Sequence, residues 1–171
     1  LAGRLVNLPI EVIFSSKYTR AQQTTEIVNK KLQKEVVLTE LLQERKRPSD
    51  IEGKPIGDPE VMRVKKLIEQ HADESEWHYG DEENIFDFKQ RVEQALALLS
   101  KRQESHILVV SHGQTIRLMI ALMMLGEQLT PHLARLFIGF LKISNTGITV
   151  CERREDTIWH LVTWNDHAHL G

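Results

Sequence analysis

Two short stretches of this sequence carry side chains suited to holding an anion. One is Val12-Ile13-Phe14, followed by Ser15-Ser16-Lys17 and then Arg20. The other is Ile107-Leu108-Val109-Val110, followed by Ser111-His112-Gly113. Each reads as a buried apolar strand, a polar turn and the first turn of a helix. In an open parallel sheet such turns lie at the carboxyl edge of the strands, where ligands bind. Each also offers a helix N-terminus, whose unpaired amides and dipole attract negative charge. Arg20 adds a guanidinium and His112 an imidazole, with Ser16 and Gly113 in the turns beside them. The ligand these groups suit is a phosphate or a carboxylate. A phosphate charge ~4 Å from a guanidinium contributes about 4 kcal/mol at an effective dielectric of ~20.

A candidate acid lies in a third stretch, Glu44 within Leu41-Leu42-Gln43-Glu44-Arg45-Lys46-Arg47-Pro48. Beside a bound phosphate, like-charge repulsion favours a protonated carboxyl. Such a group can pass its proton to a leaving oxygen. Taken singly, each residue also has a plainer reading. Arg20 fits a surface ion pair, His112 an exposed first-turn residue behind a Ser111 cap, and Glu44 a solvated side chain among cations. The matching design of the two turns favours the anion site. Gly53-Lys54-Pro55 lacks the spacing of a nucleotide phosphate loop. His167 and His169 are spaced like a metal clip but read as a C-terminal tail, so no metal and no cofactor is expected. Cys151 reads as a small core residue, and Ser144 to Gly147 as a turn.

The elements that must position these groups follow from periodicity. Leu1 to Leu8 reads as the end of a helix entering from upstream and broken by Pro9. A helix is expected over 19–34, a strand at Val36 to Leu38, and a long ordered loop from Thr39 to Pro59. Helices follow over 60–70, 84–102 and 113–125, with a loop between Asp73 and Glu83. The run at 106–110 is nearly all apolar, which suggests a strand buried on both faces. A short helix is expected over 131–137, and three strands over 138–143, 148–152 and 157–163. This order of elements predicts one α/β domain, a three-layer α/β/α sandwich with a mostly parallel sheet.

Composition narrows the function. The chain has 171 residues, 41% hydrophobic and 27% charged, enough for one domain with a sizeable core. Its 22 Lys and Arg against 24 Asp and Glu give a net charge of −2. No basic field favours nucleic acid or an anionic membrane, and Trp77, Trp159 and Trp164 are not interleaved with a basic run. The single cysteine excludes an internal disulfide and fits a reducing, cytoplasmic setting.

These motifs resemble a known family. Val12-Ile-Phe-Ser-Ser-Lys-Tyr-Thr-Arg-Ala-Gln-Gln-Thr24 is similar to the SSxxxRAxQT segment of the histidine phosphatase superfamily, the phosphoglycerate mutase-like fold. Val109-Val-Ser-His-Gly-Gln-Thr-Ile-Arg117 resembles its second histidine motif, and Leu42-Gln-Glu-Arg45 with Glu52-Gly53 its acidic segment. The resemblance implies phosphoryl transfer from a small phosphorylated substrate to a histidine. It implies that Arg20 grips the phosphoryl oxygens, that His112 donates to them, and that Glu44 protonates the leaving group, with no metal. The family's nucleophile lies in an Arg-His-Gly motif on an upstream strand, and no Arg-His-Gly occurs here. The chain is therefore expected to be N-terminally incomplete and, as it stands, inactive. The strand would come from upstream residues or from a second chain in a homodimer. A phosphatase is the leading expectation. A mutase and a non-catalytic phosphate-binding scaffold are the alternatives.

Overall fold

The computed structural model describes residues 1–153 and 158–170. Its centre is β1 (Val12–Ser16), all five residues of which are buried. Parallel strands β2 (Glu35–Thr39) and β3 (Ile107–Val110) flank it in the order β2-β1-β3. Val12 lies opposite both Glu35 and Ile107, and Ser15 opposite both Leu38 and Val110. Parallel neighbours need crossover connections, and the helices between these strands supply them. They are α2 (Thr19–Leu32) between β1 and β2, and α3 (Pro59–Gln70) and α4 (Ile85–Ser100) between β2 and β3.

Strand alternation sorts β1 between two cores. Val12 and Phe14 pack with α4, α5 (Gly113–Leu125) and α6 (Pro131–Phe140) on one face. Ile13 packs on the other face with Leu5 of α1 (Ala2–Leu5) and Val28 and Leu32 of α2. These are the three expected layers. A smaller cluster of Ile51, Val61 and Val64 ties α3 to the long loop after β2. That loop holds two 3-10 turns, Glu40–Leu42 and Ser49–Ile51. Side chains start the helices where the sequence provides caps. Asn84 accepts from the Phe86 and Asp87 amides at 2.9 and 3.0 Å, and Asp58 accepts from the Glu60 amide at 2.8 Å.

Some expectations need correction. No strand forms over 138–143, because α6 runs on through Phe140. Thr130 caps that helix, Pro131 opens it, and Arg117 Nη1 donates to the Ile138 carbonyl at 2.8 Å in its last turn. The closing strands are two, β4 (Ile148–Arg153) and β5 (Trp159–Asp166), an antiparallel pair. The expected start of the last strand at Thr157 lies outside the described residues. β3 is half-buried rather than buried on both faces, since among the described residues it pairs with β1 alone. Its apolar run marks a position beside the sheet centre, which is β1. Among the described residues no helix is long and apolar enough to cross a membrane.

Candidate active site

The polar turns after β1 and β3 meet, as their shared design predicts. Arg20, in the first turn of α2, donates from Nε to His112 Nδ1 at 3.1 Å. Arg20 is at the exposed rim, whereas His112 is only 7% exposed and so is no free first-turn residue. Its Nε2 lies 2.8 Å from Ser16 Oγ. Ser16 ends β1 and has no exposed surface. Burial first, and then the Arg20 charge, push the His112 imidazole below its ordinary value. A cation in a half-dry site beside another cation is disfavoured.

Glu44 is not a solvated side chain. Its carboxylate turns in to the first turn of α5. Oε2 accepts from the Gln114 amide at 3.2 Å, and Oε1 from the Thr115 amide at 3.3 Å and the Arg45 amide at 3.1 Å. Thr115 Oγ1 fixes the neighbouring backbone by donating to the Gln43 carbonyl at 2.6 Å. The helix N-terminus expected to receive an anion is thus met by this carboxylate, in the geometry the dipole favours. Ser111 is not the cap. It donates to the Leu42 carbonyl at 2.8 Å and ties the His112 turn to the Glu44 segment. Gly113 sits where the elements crowd. A Cβ there would lie 3.3 Å from Ile143 Cγ2 and 3.9 Å from both Arg117 Nη2 and Glu44 Oε2.

The five residues singled out by sequence, Ser16, Arg20, Glu44, His112 and Gly113, therefore gather at one edge of the sheet. Sequence reasoning missed three others. Tyr18 opens α2, and its ring meets the His112 ring edge-on at 5.2 Å while the Arg20 guanidinium stands 4.9 Å from the ring centroid. Arg91 of α4 grips both Glu83 oxygens at 2.6 and 2.8 Å and donates to the Leu41 and Gln43 carbonyls at 2.8 and 2.9 Å. That side chain frames the Glu44 segment. Arg45 donates to the Glu83 carbonyl at 2.9 Å and approaches the buried Glu82 at 3.7 Å. Burial lowers the Arg45 guanidinium from its ordinary value and raises the Glu82 carboxyl. The sequence signals for these were the position of Tyr18 between Ser16 and Arg20 and that of Arg45 beside Glu44; Arg91 had none. Among the described residues no group of three or more His, Cys, Asp or Glu could hold a metal ion.

A family model for the histidine phosphatase superfamily (branch 1) matches residues 1–167. Among solved structures, Bacillus stearothermophilus YhfR is similar with a TM-score of 0.78 at 21% identity, over 99% of this chain and 81% of that one. The alpha-ribazole phosphatase from Shigella flexneri gives 0.71 at 20% identity, over 96% and 80% of the two chains. A mycobacterial glucosyl-3-phosphoglycerate phosphatase gives 0.69 at 19% identity, over 96% and 80%. No curated protein matches in sequence. Likeness at these identities establishes the phosphoglycerate mutase-like fold. The family match, spanning both strand–turn–helix edges and the segment that brings Glu44 between them, goes further: this chain belongs to the histidine phosphatase superfamily, branch 1.

Proposed function

We propose that the protein is a phosphatase of small phosphomonoesters that works through a phosphohistidine. The observation that carries this reading is the convergence of Arg20, His112 and Glu44 at the carboxyl ends of β1 and β3. Arg20 and His112 neutralise the phosphoryl oxygens, the work that arginines and metal ions do in other phosphoryl-transfer sites. Glu44 gives its proton to the leaving alkoxide as the P–O bond breaks and the P–N bond to the nucleophile forms. It then takes a proton from the water that breaks the P–N bond and releases inorganic phosphate.

By family resemblance the nucleophile is the histidine of an Arg-His-Gly strand, and no Arg-His-Gly occurs in this sequence. Among the described residues Ile107–Val110 bonds to a neighbour on one side only, which leaves β3 an edge for such a strand. A strand laid along that edge would end beside His112. Without it the chain is proposed to bind phosphate but not to turn over. A cytoplasmic setting fits the free, half-buried Cys151.

The test is turnover of p-nitrophenyl phosphate by the chain supplied with an Arg-His-Gly strand, and capture of an acid-labile, alkali-stable phosphoprotein. His112→Ala and Arg20→Ala should each abolish both. Phosphate binding without turnover would instead mark a phosphate-binding module. Transfer of the phosphoryl group to a second substrate rather than to water would mark a mutase.

A further inference from the structure

The hydrogen bonds around His112 fix where its protons are. Arg20 Nε–H can only donate, so Nδ1 at 3.1 Å must accept. In the neutral ring the proton then sits on Nε2, which donates to Ser16 Oγ at 2.8 Å. Ser16 Oγ accepts a second bond from the Tyr18 amide at 3.2 Å. With no exposed surface, Ser16 reaches no ligand itself and acts on one only through His112. Tyr18 completes the frame. Its ring packs against the His112 edge and against the guanidinium of Arg20.

We propose that Ser16 and Tyr18 are positioning residues that hold His112 as its Nε2–H tautomer, so that Nδ1 and the Arg20 guanidinium form one joint oxyanion receptor. The contact between Arg20 and Nδ1 is its resting state. An oxyanion draws the guanidinium to itself, because a charge-assisted bond to an anion is stronger than one to a neutral ring nitrogen. Nδ1 is then released, takes one proton from solvent, and donates it in a hydrogen bond to the anion. No other bond changes, and anion binding takes up one proton. The charged groups that face the ring are Arg20 from α2, Arg91 from α4 and Glu44 from the segment before Arg45, with the Tyr18 phenol from the β1–α2 turn. Of these, Arg91 is committed to Glu83 and two carbonyls, and Glu44 to the amides of α5. Arg20, at the exposed rim, is the group free to move toward a ligand. The low basicity of the ligand-free ring agrees with this resting state.

The inference rests on the phosphate-site reading, and one experiment separates the two. Nitrogen chemical shifts of His112 are followed by NMR in the full chain, across pH, with inorganic phosphate as the probe. The ligand-free ring should be neutral and Nε2–H at pH 7, and phosphate should raise its titration midpoint by about one unit. Ser16→Ala should mix the tautomers and weaken phosphate binding by about 3–10-fold, the worth of one hydrogen bond. Tyr18→Ala should weaken binding similarly, and Tyr18→Phe should recover it. An Nδ1–H or doubly protonated ligand-free ring overturns the proposal. So does an unchanged tautomer and affinity in both alanine variants. Phosphate that leaves the wild-type ring untouched overturns the phosphate-site reading, while the ligand-free tautomer still judges Ser16. Melting curves check the fold, and should Ser16→Ala fail to fold, the wild-type shifts and Tyr18→Ala decide.

Discussion

Glu44 serves two ends at once, as the candidate acid and as the acceptor for the first-turn amides of α5. Glu44→Gln separates them. Its one amide oxygen still accepts from the Thr115 and Arg45 amides, the Gln114 amide loses its acceptor, and no acidic proton is left to deliver. In the active chain, turnover of an alkyl phosphate should fall by about 10²–10⁴. Turnover of p-nitrophenyl phosphate should fall far less, because p-nitrophenolate leaves without protonation. Comparing kcat/KM for the two substrates checks this. His112 makes a second prediction, about stability. Its folded imidazole is less basic than that of the unfolded chain, whose ordinary value is about 6.5. Below that pH the unfolded state binds a proton that the folded state resists, so stability is full above it and declines as the pH falls through it. Urea titrations in phosphate-free buffer from pH 8 to pH 5 should show this slope. In His112→Gln it should be shallower.

At the scale of elements, the Glu44 segment is shaped by a side chain from α4 rather than by its own sequence. Arg91 is 18% exposed and its partner Glu83 is 15% exposed. Arg91→Met would remove both guanidinium bonds from that carboxylate and leave the Leu41 carbonyl without its donor, while the Gln43 carbonyl keeps the Thr115 hydroxyl. A loss of about 3–5 kcal/mol is expected from denaturant melts, the usual result of breaking a buried pair from one side. Asn84 caps α4 and also donates to the Ser75 and Trp77 carbonyls at 2.8 and 3.0 Å. Asn84→Ala should cost about 1–2 kcal/mol and loosen the loop before the helix.

These two residues show what sequence can and cannot yield. The helix after Asn84 was legible because Ile85, Phe88, Val92 and Ala95 repeat at helical spacing and all four are buried. The strands of the sheet were legible from short apolar runs, and the Arg20 and His112 turns from their shared pattern. Arg91 was illegible, since its four acceptors lie at separations of 8, 48 and 50 residues that no local period encodes. The length of α6 was misjudged for a similar reason. The run after Phe137 is apolar enough for a strand, and the Arg117 bond that satisfies the Ile138 carbonyl in the helix's last turn comes from 21 residues away.

At the scale of the whole molecule, β1 is the member that both faces of the sheet require. Phe14 is 1% exposed on the three-helix side, and Ile13 is 0% exposed on the other. Phe14→Ala should cost about 3–5 kcal/mol and Ile13→Val about 0.5–1.5, with the difference measured by chemical denaturation.

The bond between Arg20 and His112 joins residues 92 positions apart. Closing so long a loop is slow, because its entropy is spent before the contact repays it. Helices α2 and α4 can form from local pairing long before that closure. During refolding, helical signal should therefore return first and phosphate affinity last. The pocket works as an internal certificate of completion, unable to hold its ligand until two turns far apart in the sequence have met.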